Sequence, residues 1–497
     1  MTQANNAPEI TTYGGWRRSR GIGLFGLPAS TTLLVMGTLV LTMLVTAVSV
    51  SALKYLIGPA VIVVGASVAK WNGMPLSHAV IQRMQWWWGS MRGWNSYRAG
   101  ITVDHPRAWQ PPGVLAPTTL ISAEDGFGRH YGLVWNQRRG HFTATLRCAA
   151  TSTWLADRAD ADQWVANWGA WLTSLGYIPA IQWVAVTVDT APDPGSTLRN
   201  QVQARIDPRS PEASRRIMAD LVRSSPAAAA DVDTTVSITF DPYRMPNKPK
   251  TPDEAVAEVG RLLHGLQSAL QSCGVTVIGR ATAPQLAGIV RTAFDPAARG
   301  EVNRLLESPT EQQQLLTWAD AGPVAHEELP NSYRHDSGIS VSYGWMEAPR
   351  QRVHSGVLAR LVAPGPYPKR VTLMYHPKPA AESARIVESE QNATAFRAAV
   401  NTKQGRDTTA RDALDRQQAQ TAATEEAMGA SICDISLYAT VTVLNEEDLP
   451  AACADLEARA ETAKIRLRRM TYSQAASFAT TLPCGIFPPA LAASWSR

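Results

Sequence analysis

The feature that most constrains this chain is a long stretch between Arg20 and Lys54 that contains no charged residue. Its central part, residues 28–53, reads PASTTLLVMGTLVLTMLVTAVSVSAL. About 20 helical residues, rising ~1.5 Å each, cross a hydrocarbon core of ~30 Å, so a membrane-spanning helix fits within this stretch. A secretory signal peptide would have a shorter apolar run followed by polar mature sequence. Because a second apolar run follows instead, the pattern predicts a membrane anchor.

The second apolar run covers residues 55–69 and ends at Lys70 and Trp71. It is short for a span, but it becomes long enough if residues 51–54 join the helix and both flanking lysines snorkel to the interface. Residues 28–71 are therefore predicted to form a transmembrane hairpin of two helices, with a turn near residues 49–54. One long tilted helix followed by a re-entrant segment is the alternative.

Positive charges on both sides of the hairpin predict its orientation. Arginines precede it and follow it, whereas the turn carries only Lys54. The positive-inside rule then places the N-terminus and the C-terminal domains in the cytoplasm, at the plasma membrane.

Residues 75–98 are rich in tryptophan and arginine and predict an amphipathic helix at the lipid interface, the alternative being a helix packed on its own soluble domain. The residues predicted to lie at the membrane interface are Arg17, Arg18, Arg20, Lys54, Lys70, Trp71, Trp86, Trp87 and Trp88.

The sequence disfavours one nucleotide-binding site and excludes another. Gly21, Gly23 and Gly26 spell GxGxxG, but no strand precedes them, so a flexible approach to the bilayer is favoured over a dinucleotide site. No lysine of the chain follows a glycine, which excludes a P-loop ATPase. The net charge of +5, from 47 basic and 42 acidic residues, does not by itself indicate a nucleic-acid-binding protein.

The region after residue 110 has the composition of an α/β protein. Strands are predicted at residues 141–148, 180–188, 234–240 and 275–279, with helices at 157–175 and 253–272. The tryptophans of the first of these helices repeat at helical spacing and are predicted to face the core. The order β-α-β, insertion, β-α-β predicts a ferredoxin-like unit with a helical insert over residues 111–300.

A second α/β region is predicted over residues 301–497. Its strands are expected at residues 338–345, 370–375 and 432–443, with a helix over 446–463. Residues 380–428 have few large apolar side chains and predict a polar pair of antiparallel helices, either solvated or available to a partner. Basic residues alternate with Ile465 and Leu467 near the C-terminus, which favours an edge strand with one basic, solvated face over a lipid-binding or acid-binding strand.

The sequence contains few patterns that indicate a catalytic or metal-binding site. His326, Glu327 and Glu328 begin like a zinc-protease motif, but Pro330 stands where the second histidine belongs. Glu124 and Asp125 lie in a glycine-rich turn. The five cysteines form no CxxC or paired zinc spacing. The chain is therefore predicted not to be an enzyme, with no catalytic residue, cofactor or metal site.

The arginines of residues 199–223 are interspersed with acidic residues and predict a solvated helix rather than a DNA-binding one.

A family resemblance accompanies this layout. The basic segment 13–20, the Gly-Leu-Pro at 26–28 and the two close apolar runs resemble PrgI-type membrane proteins of conjugative systems. The stretch WVANWGAWLTSLGY leading into AIQWVAVTV is similar to the N-terminal, non-ATPase part of conjugative transfer ATPases. A fusion of these parts is similar to a membrane protein of actinobacterial conjugative elements, and the resemblance covers roughly residues 13–470.

The resemblance implies a non-catalytic inner-membrane scaffold of a type IV secretion-like apparatus. Its expected partners are the lipid bilayer, a separately encoded transfer ATPase, other channel subunits and further copies of the chain, with no direct nucleic-acid site. EccE-like components of type VII secretion and, as a different class, a membrane-bound enzyme are the alternatives. The expected fold is α+β, divided into a basic N-terminus (1–27), the transmembrane hairpin (28–71), a juxtamembrane helix (72–110) and the two cytosolic regions (111–300 and 301–497).

Overall fold

The computed structural model describes residues 12–14, 29–49, 51, 53–71, 73–99, 110–126, 128–150, 157–192, 202, 205–207, 209–224, 230–309, 313, 315–349, 351–403 and 410–495. The fold is α+β, as predicted. An apolar N-terminal helix precedes a body built on one large antiparallel sheet.

The N-terminal part is helical. It contains α1 (Ala29–Val48), α2 (Leu53–Val68) and α3 (Leu76–Met91). Two short strands, β1 (Lys70–Trp71) and β2 (Met74–Pro75), pair with each other between α2 and α3. Strand β3 (Ser96–Arg98) follows α3. The predicted juxtamembrane helix over residues 75–98 is therefore too long at its C-terminal end, because Gly93, at a φ of 72°, ends the helical course and residues 96–98 join the sheet instead.

The first half of the body covers residues 118–294. Its strands are β4 (Thr118–Asp125), β5 (Arg129–Asn136), β6 (His141–Ala150), β7 (Ile181–Pro192), β8 (Ala230–Phe240) and β9 (Val275–Arg280). Its helices are α4 (Arg158–Leu175), α5 (Glu212–Ser224), α6 (Pro252–Leu270) and α7 (Ala283–Phe294). Helices α8 (Arg299–Leu306) and α9 (Trp318–Ala321) connect it to the second half.

The second half covers residues 325–480. Its strands are β10 (Ala325–Glu328), β11 (Tyr333–His335), β12 (Gly338–Glu347), β13 (Lys369–Pro377), β14 (Cys433–Val443) and β15 (Arg466–Arg469). Its helices are α10 (Ala359–Val362), α11 (Ala380–Lys403), α12 (Ala410–Ala427), α13 (Leu449–Thr462) and α14 (Gln474–Thr480), and α15 (Pro488–Trp495) follows. Helices α11 and α12 contact each other where a polar helix pair is predicted.

The two halves repeat one strand order on either side of a central seam. From the seam outward, the first half runs β7-β8-β6-β5-β4 and the second runs β13-β14-β12-β11-β10. Strand β9 pairs with β6, and β15 pairs in the same way with β12. Strands β7 and β13 pair antiparallel at the seam, so the predicted regions 111–300 and 301–497 share one sheet. The insertions α5 and α11–α12 occupy the equivalent connection in each half.

One face of the sheet carries the same hydroxyl pairs in both halves. Side chains alternate between the two faces of a strand, and on this face serines and threonines meet across neighbouring strands. The pairs are Thr143–Thr239 and Thr145–Ser237 in the first half, and Ser340–Thr442 and Ser342–Thr440 in the second, with oxygens 2.8–3.0 Å apart. Thr187 and Thr372 form such a pair across the seam, at 2.9 Å. The repeat of strand order is therefore also a repeat of side-chain register.

The opposite face carries two of the apolar cores. In the first half, strand residues such as Phe142, Leu146 and Ile238 pack beneath α4 and α6. In the second half, strand residues such as Val341 and Leu437 pack beneath α13. Trp171 of α4 is buried in the first core and Trp168 packs against it, which confirms the prediction that the tryptophans at helical spacing face inward.

Candidate membrane interface

Helix α1 meets the requirements of a membrane span. Residues Thr31–Val48 form a continuous apolar window with a mean hydropathy of 2.1, and none of this window is buried by the rest of the protein. Thr38, Thr42 and Thr46 each donate their hydroxyl to the backbone carbonyl four residues earlier. These internal hydrogen bonds leave no hydroxyl of the three unsatisfied in an apolar solvent. Among the described residues, α1 is the one helix that is both long and apolar enough to cross a bilayer.

Helix α2 is apolar but shorter. It has 16 residues with Pro59 inside it, which corresponds to about 24 Å of helix against a hydrocarbon core of ~30 Å. It packs against α1, and Tyr55, Val61 and Ile62 on its surface are exposed. The residues between the two helices include Ser51, within the segment 49–54 where a turn is predicted.

Helix α3 has two distinct faces. Ala79 is buried, Gln82 donates from Nε2 to Ser473 Oγ at 3.1 Å, and Trp86 packs on Tyr472 with ring centroids 5.6 Å apart. These residues, at helical spacing, fix α3 on the body. The other side carries an apolar stripe that faces solvent. The residues of this stripe are Val80, Met84, Trp87, Trp88 and Met91.

The apolar stripe of α3 is strongly exposed. Met84 is 64% exposed and Trp87 is 59% exposed. Contiguous apolar patches of this kind mark an interaction surface. At the end of the helix, Arg92 lies over the Trp88 ring at 4.6 Å and over the Trp94 ring at 5.2 Å. A cation held among exposed tryptophans is typical of a helix at a lipid interface.

The structure distributes the predicted interface residues over different environments. Arg17, Arg18 and Arg20 lie outside the described residues, as does the side chain of Lys70. Lys54 begins α2 and is exposed, and Trp71 is exposed beside α2. Trp87 and Trp88 face outward on α3, whereas Trp86 turns toward the body and its buried Nε1 has no hydrogen-bond partner among the described residues. The three consecutive tryptophans of the sequence thus separate into one packing residue and two surface residues.

Sequence patterns did not reveal a buried charged cluster beside the seam. Arg299 of α8 donates from Nη2 to Asp189 Oδ2 at 3.1 Å and from Nη1 to Asp231 Oδ2 at 3.3 Å. Arg370, the cross-strand neighbour of Asp189, is almost fully buried, and burial lowers its pKa to about 10. For Arg299 burial also lowers the pKa, but the neighbouring carboxylates outweigh it and the net pKa is raised. The ion pairs fasten the connection between the halves to the sheet, and no local periodicity could have brought residues 189, 299 and 370 together.

The histidine of the zinc-protease-like sequence has a structural setting. His326 lies in β10, stacked on Tyr97 of β3 with ring centroids 5.4 Å apart. Burial lowers its pKa to about 4. Its neighbour Glu328 accepts a hydrogen bond from the backbone N–H of Ala475. Within the described part of the chain, no three histidine, cysteine or acidic side chains are grouped so that they could hold a metal ion.

No family of known proteins matches the chain, and no curated protein is similar to it.

Proposed function

We propose that the chain is a membrane-anchored, non-catalytic scaffold of a conjugative, type IV secretion-like apparatus that docks a separately encoded ATPase. The single observation that carries the membrane part is α1, a helix of 20 residues whose apolar window receives no cover from the body. Burying such a helix in lipid removes its apolar surface from water, which stabilises that arrangement strongly. The exposed stripe of α3 supports the same conclusion from a second element.

The multi-pass topology is part of the proposal. We propose that α2 completes a transmembrane hairpin with α1, with the ends of the chain and the large body on the cytoplasmic side. Contact between α1 and α2 supports this arrangement, as does Lys54 at the start of α2, where it could snorkel to the far interface. The basic residues before and after the hairpin supply the charge asymmetry that sets orientation.

The scaffold role rests on the architecture of the body. We propose that each half is a ferredoxin-like unit. Two βαβ connections and the strand orders β9-β6-β8-β7 and β15-β12-β14-β13 support this assignment. Two fused units with different helical insertions, α5 and α11–α12, offer two separate docking elements on one membrane-bound frame. Tethering a partner motor to such a frame raises its effective concentration at the channel.

Two alternative functions are an EccE-like secretion component and a membrane-bound enzyme. An EccE-like component of type VII secretion would combine the same anchor with a cytosolic body. A membrane-bound enzyme would need a cluster of carboxylates or histidines at the lipid interface, where α3 offers tryptophan, methionine, arginine and the single histidine His78. The identity of the partners distinguishes the first alternative from the proposal.

Membrane insertion and partner identity are tested together in the native cell. Full-length protein should stay in the membrane fraction after carbonate extraction, and the variant L39R/L41R should be released, because two arginines near the centre of a span each cost about 2.5–3.5 kcal/mol. The matched control Q417R/Q420R places the same charges on α12 and should stay in the membrane.

Gentle solubilisation and mass spectrometry then identify what accompanies the protein. We expect a conjugative-type ATPase with the wild type and a loss of that ATPase with L39R/L41R. Type VII membrane components in its place would favour the EccE-like alternative. If carbonate extracts the wild-type protein as readily as L39R/L41R, that result would contradict the proposed membrane anchor.

A further inference from the structure

A basic edge of the body lies directly beside the membrane anchor. Strand β15 pairs with the end of β12, where Leu467 faces Trp345 and Arg466 faces Glu347. Met346 lies between these two positions, in the irregular part of the register. Gly73, in the turn between α2 and α3, packs so closely on Met346 that an added Cβ would lie 2.8 Å from its side chain. The start of β15 is therefore next to the point where the chain leaves the anchor.

Helix α3 follows this edge along its length. The turn before it lies beside Met346, and within it Gln82 contacts Ser473 and Trp86 contacts Tyr472, both just after β15. Arg83 on the same helix is exposed, with its guanidinium carbon 6.0 Å from the Tyr472 ring centre. The outward stripe of α3 and the basic residues of β15 thus belong to one side of the protein, the side that the anchor leads into.

The lysine before β15 has an unfavourable backbone conformation. Lys464 follows α13 with a φ of 61°, a left-handed conformation that side chains other than glycine adopt only at an energetic cost. In the first half the equivalent turn, between α6 and β9, is made by Gly274 at a φ of 73°, against which Trp164 also packs. The second half therefore has a lysine at a turn where glycine would be less strained. Residues in such conformations are enriched at functional sites.

The exposed cations of this edge are available for a ligand. Lys464 is exposed, and Arg466 is 3.9 Å from Glu347 and exposed over 67% of its side chain. Arg469 donates to the Tyr343 hydroxyl at 3.0 Å and does not belong to this group of exposed cations. A lysine and two arginines next to a bilayer form a surface of the charge that attracts lipid phosphates.

We propose that Lys464, Arg466 and Arg83 bind the phosphodiester headgroups of anionic phospholipids in the leaflet that receives the anchor. The inference rests on the proposed membrane role, which supplies the bilayer. It assigns a ligand to the basic strand and gives the body a defined orientation, with β15 and the stripe of α3 against the membrane. The occupant is a lipid headgroup because the surface is continuous with the anchor and its charge is complementary to an anionic leaflet.

The test is lipid binding to full-length protein in detergent, followed by native mass spectrometry. Short-chain phosphatidylglycerol and phosphatidylcholine are titrated separately, so that headgroup charge is the difference between the two titrations. We expect phosphatidylglycerol to bind the wild type roughly tenfold more tightly than phosphatidylcholine, and the variant K464Q/R466Q to lose this preference. The matched control R215Q/R216Q removes the same charge from α5 and should keep the preference.

A second variant separates binding from folding. K464G should unfold at a higher temperature than the wild type, because glycine relieves the left-handed strain, and should still bind less phosphatidylglycerol. Equal binding of both lipids by the wild type would overturn the proposal, as would an equal loss in R215Q/R216Q. Full displacement of phosphatidylglycerol by inorganic phosphate at the same concentration as the lipid would indicate a free-phosphate site instead. Carbonate extraction reports separately on the anchor, so the lipid site can fail while the membrane role stands.

Discussion

At the scale of single residues, His335 is the clearest example of a polar group whose state is decided by its surroundings. Its Nδ1 lies 2.6 Å from the carbonyl oxygen of Phe294, and its Nε2 lies 2.7 Å from the Ser340 hydroxyl. Because a carbonyl only accepts hydrogen bonds, Nδ1 carries the proton and Nε2 accepts from Ser340. The side chain is almost completely buried, and this burial lowers its pKa to about 3.

This histidine makes stability depend on pH in a defined direction. A lowered pKa in the folded state means that the contribution of His335 is complete above the unfolded pKa of about 6.5 and is lost as the pH falls toward 3. At pH 5 the loss should be about 2 kcal/mol of unfolding free energy. H335Q should show a shallower decline between pH 7.5 and 5 in denaturant unfolding, whereas H354Q, at an exposed histidine, should follow the wild type. An unchanged decline in H335Q would contradict the assignment.

The elements with the clearest functional meaning are the apolar helices that the body does not cover. Exposure alone does not identify their environment, because α5 also exposes apolar residues, Ile217 and Leu221 among them. What distinguishes α3 is its position, fixed on the body by Gln82 and Trp86 and joined to α2 through β1 and β2. The stripe on its opposite side is then oriented toward whatever surrounds α1 and α2.

This orientation can be measured with environment-sensitive labels. Met84 in α3 and Ile217 in α5 are exposed to nearly the same degree, at 64% and 62%. A fluorophore on M84C should be quenched strongly by brominated lipids after reconstitution, because α3 adjoins α2 through β1 and β2, and the same fluorophore on I217C should be quenched much less. Four of the five native cysteines are buried and Cys433 is half-buried, so labelling of the wild type gives the background. Equal quenching at both positions would contradict the interfacial placement of α3.

At the scale of the whole molecule, the seam decides how the two halves behave. Strands β7 and β13 pair from Thr190 and Lys369 to Val184 and Tyr375, and the apolar residues on both strands join the cores on either side. A sheet that continues through the seam couples the two cores, so both halves should unfold together.

A proline at the seam tests this coupling. T372P removes a backbone donor in the middle of the sheet and should separate the single calorimetric transition of the wild type into two. S122P places the same residue in β4, which ends the sheet among the described strands, and should leave one transition. Two well-separated transitions in the wild type would show that the halves are energetically independent.

Much of the secondary structure could be predicted because its signals are local. The uncharged run that contains α1 follows from composition, and the strands β6, β8 and β14 and the helices α4 and α6 follow from periodicity, with ends that differ by a few residues. The short elements β3, β10 and β11 have too few residues for a pattern and owe their strand conformation to one another.

The sequence by itself determined that the chain has an apolar N-terminal segment, an α+β body and no P-loop, because each of these depends on residue type within a short window. Only the tertiary structure decided that Trp86 faces the body while Trp87 and Trp88 face outward, that Lys464 occupies a left-handed turn before β15, and that two repeated halves meet at the Thr187–Thr372 pair. Each of these depends on contacts between residues far apart in the chain, and the free energy of such contacts comes from packing and cross-strand pairing that no local pattern records.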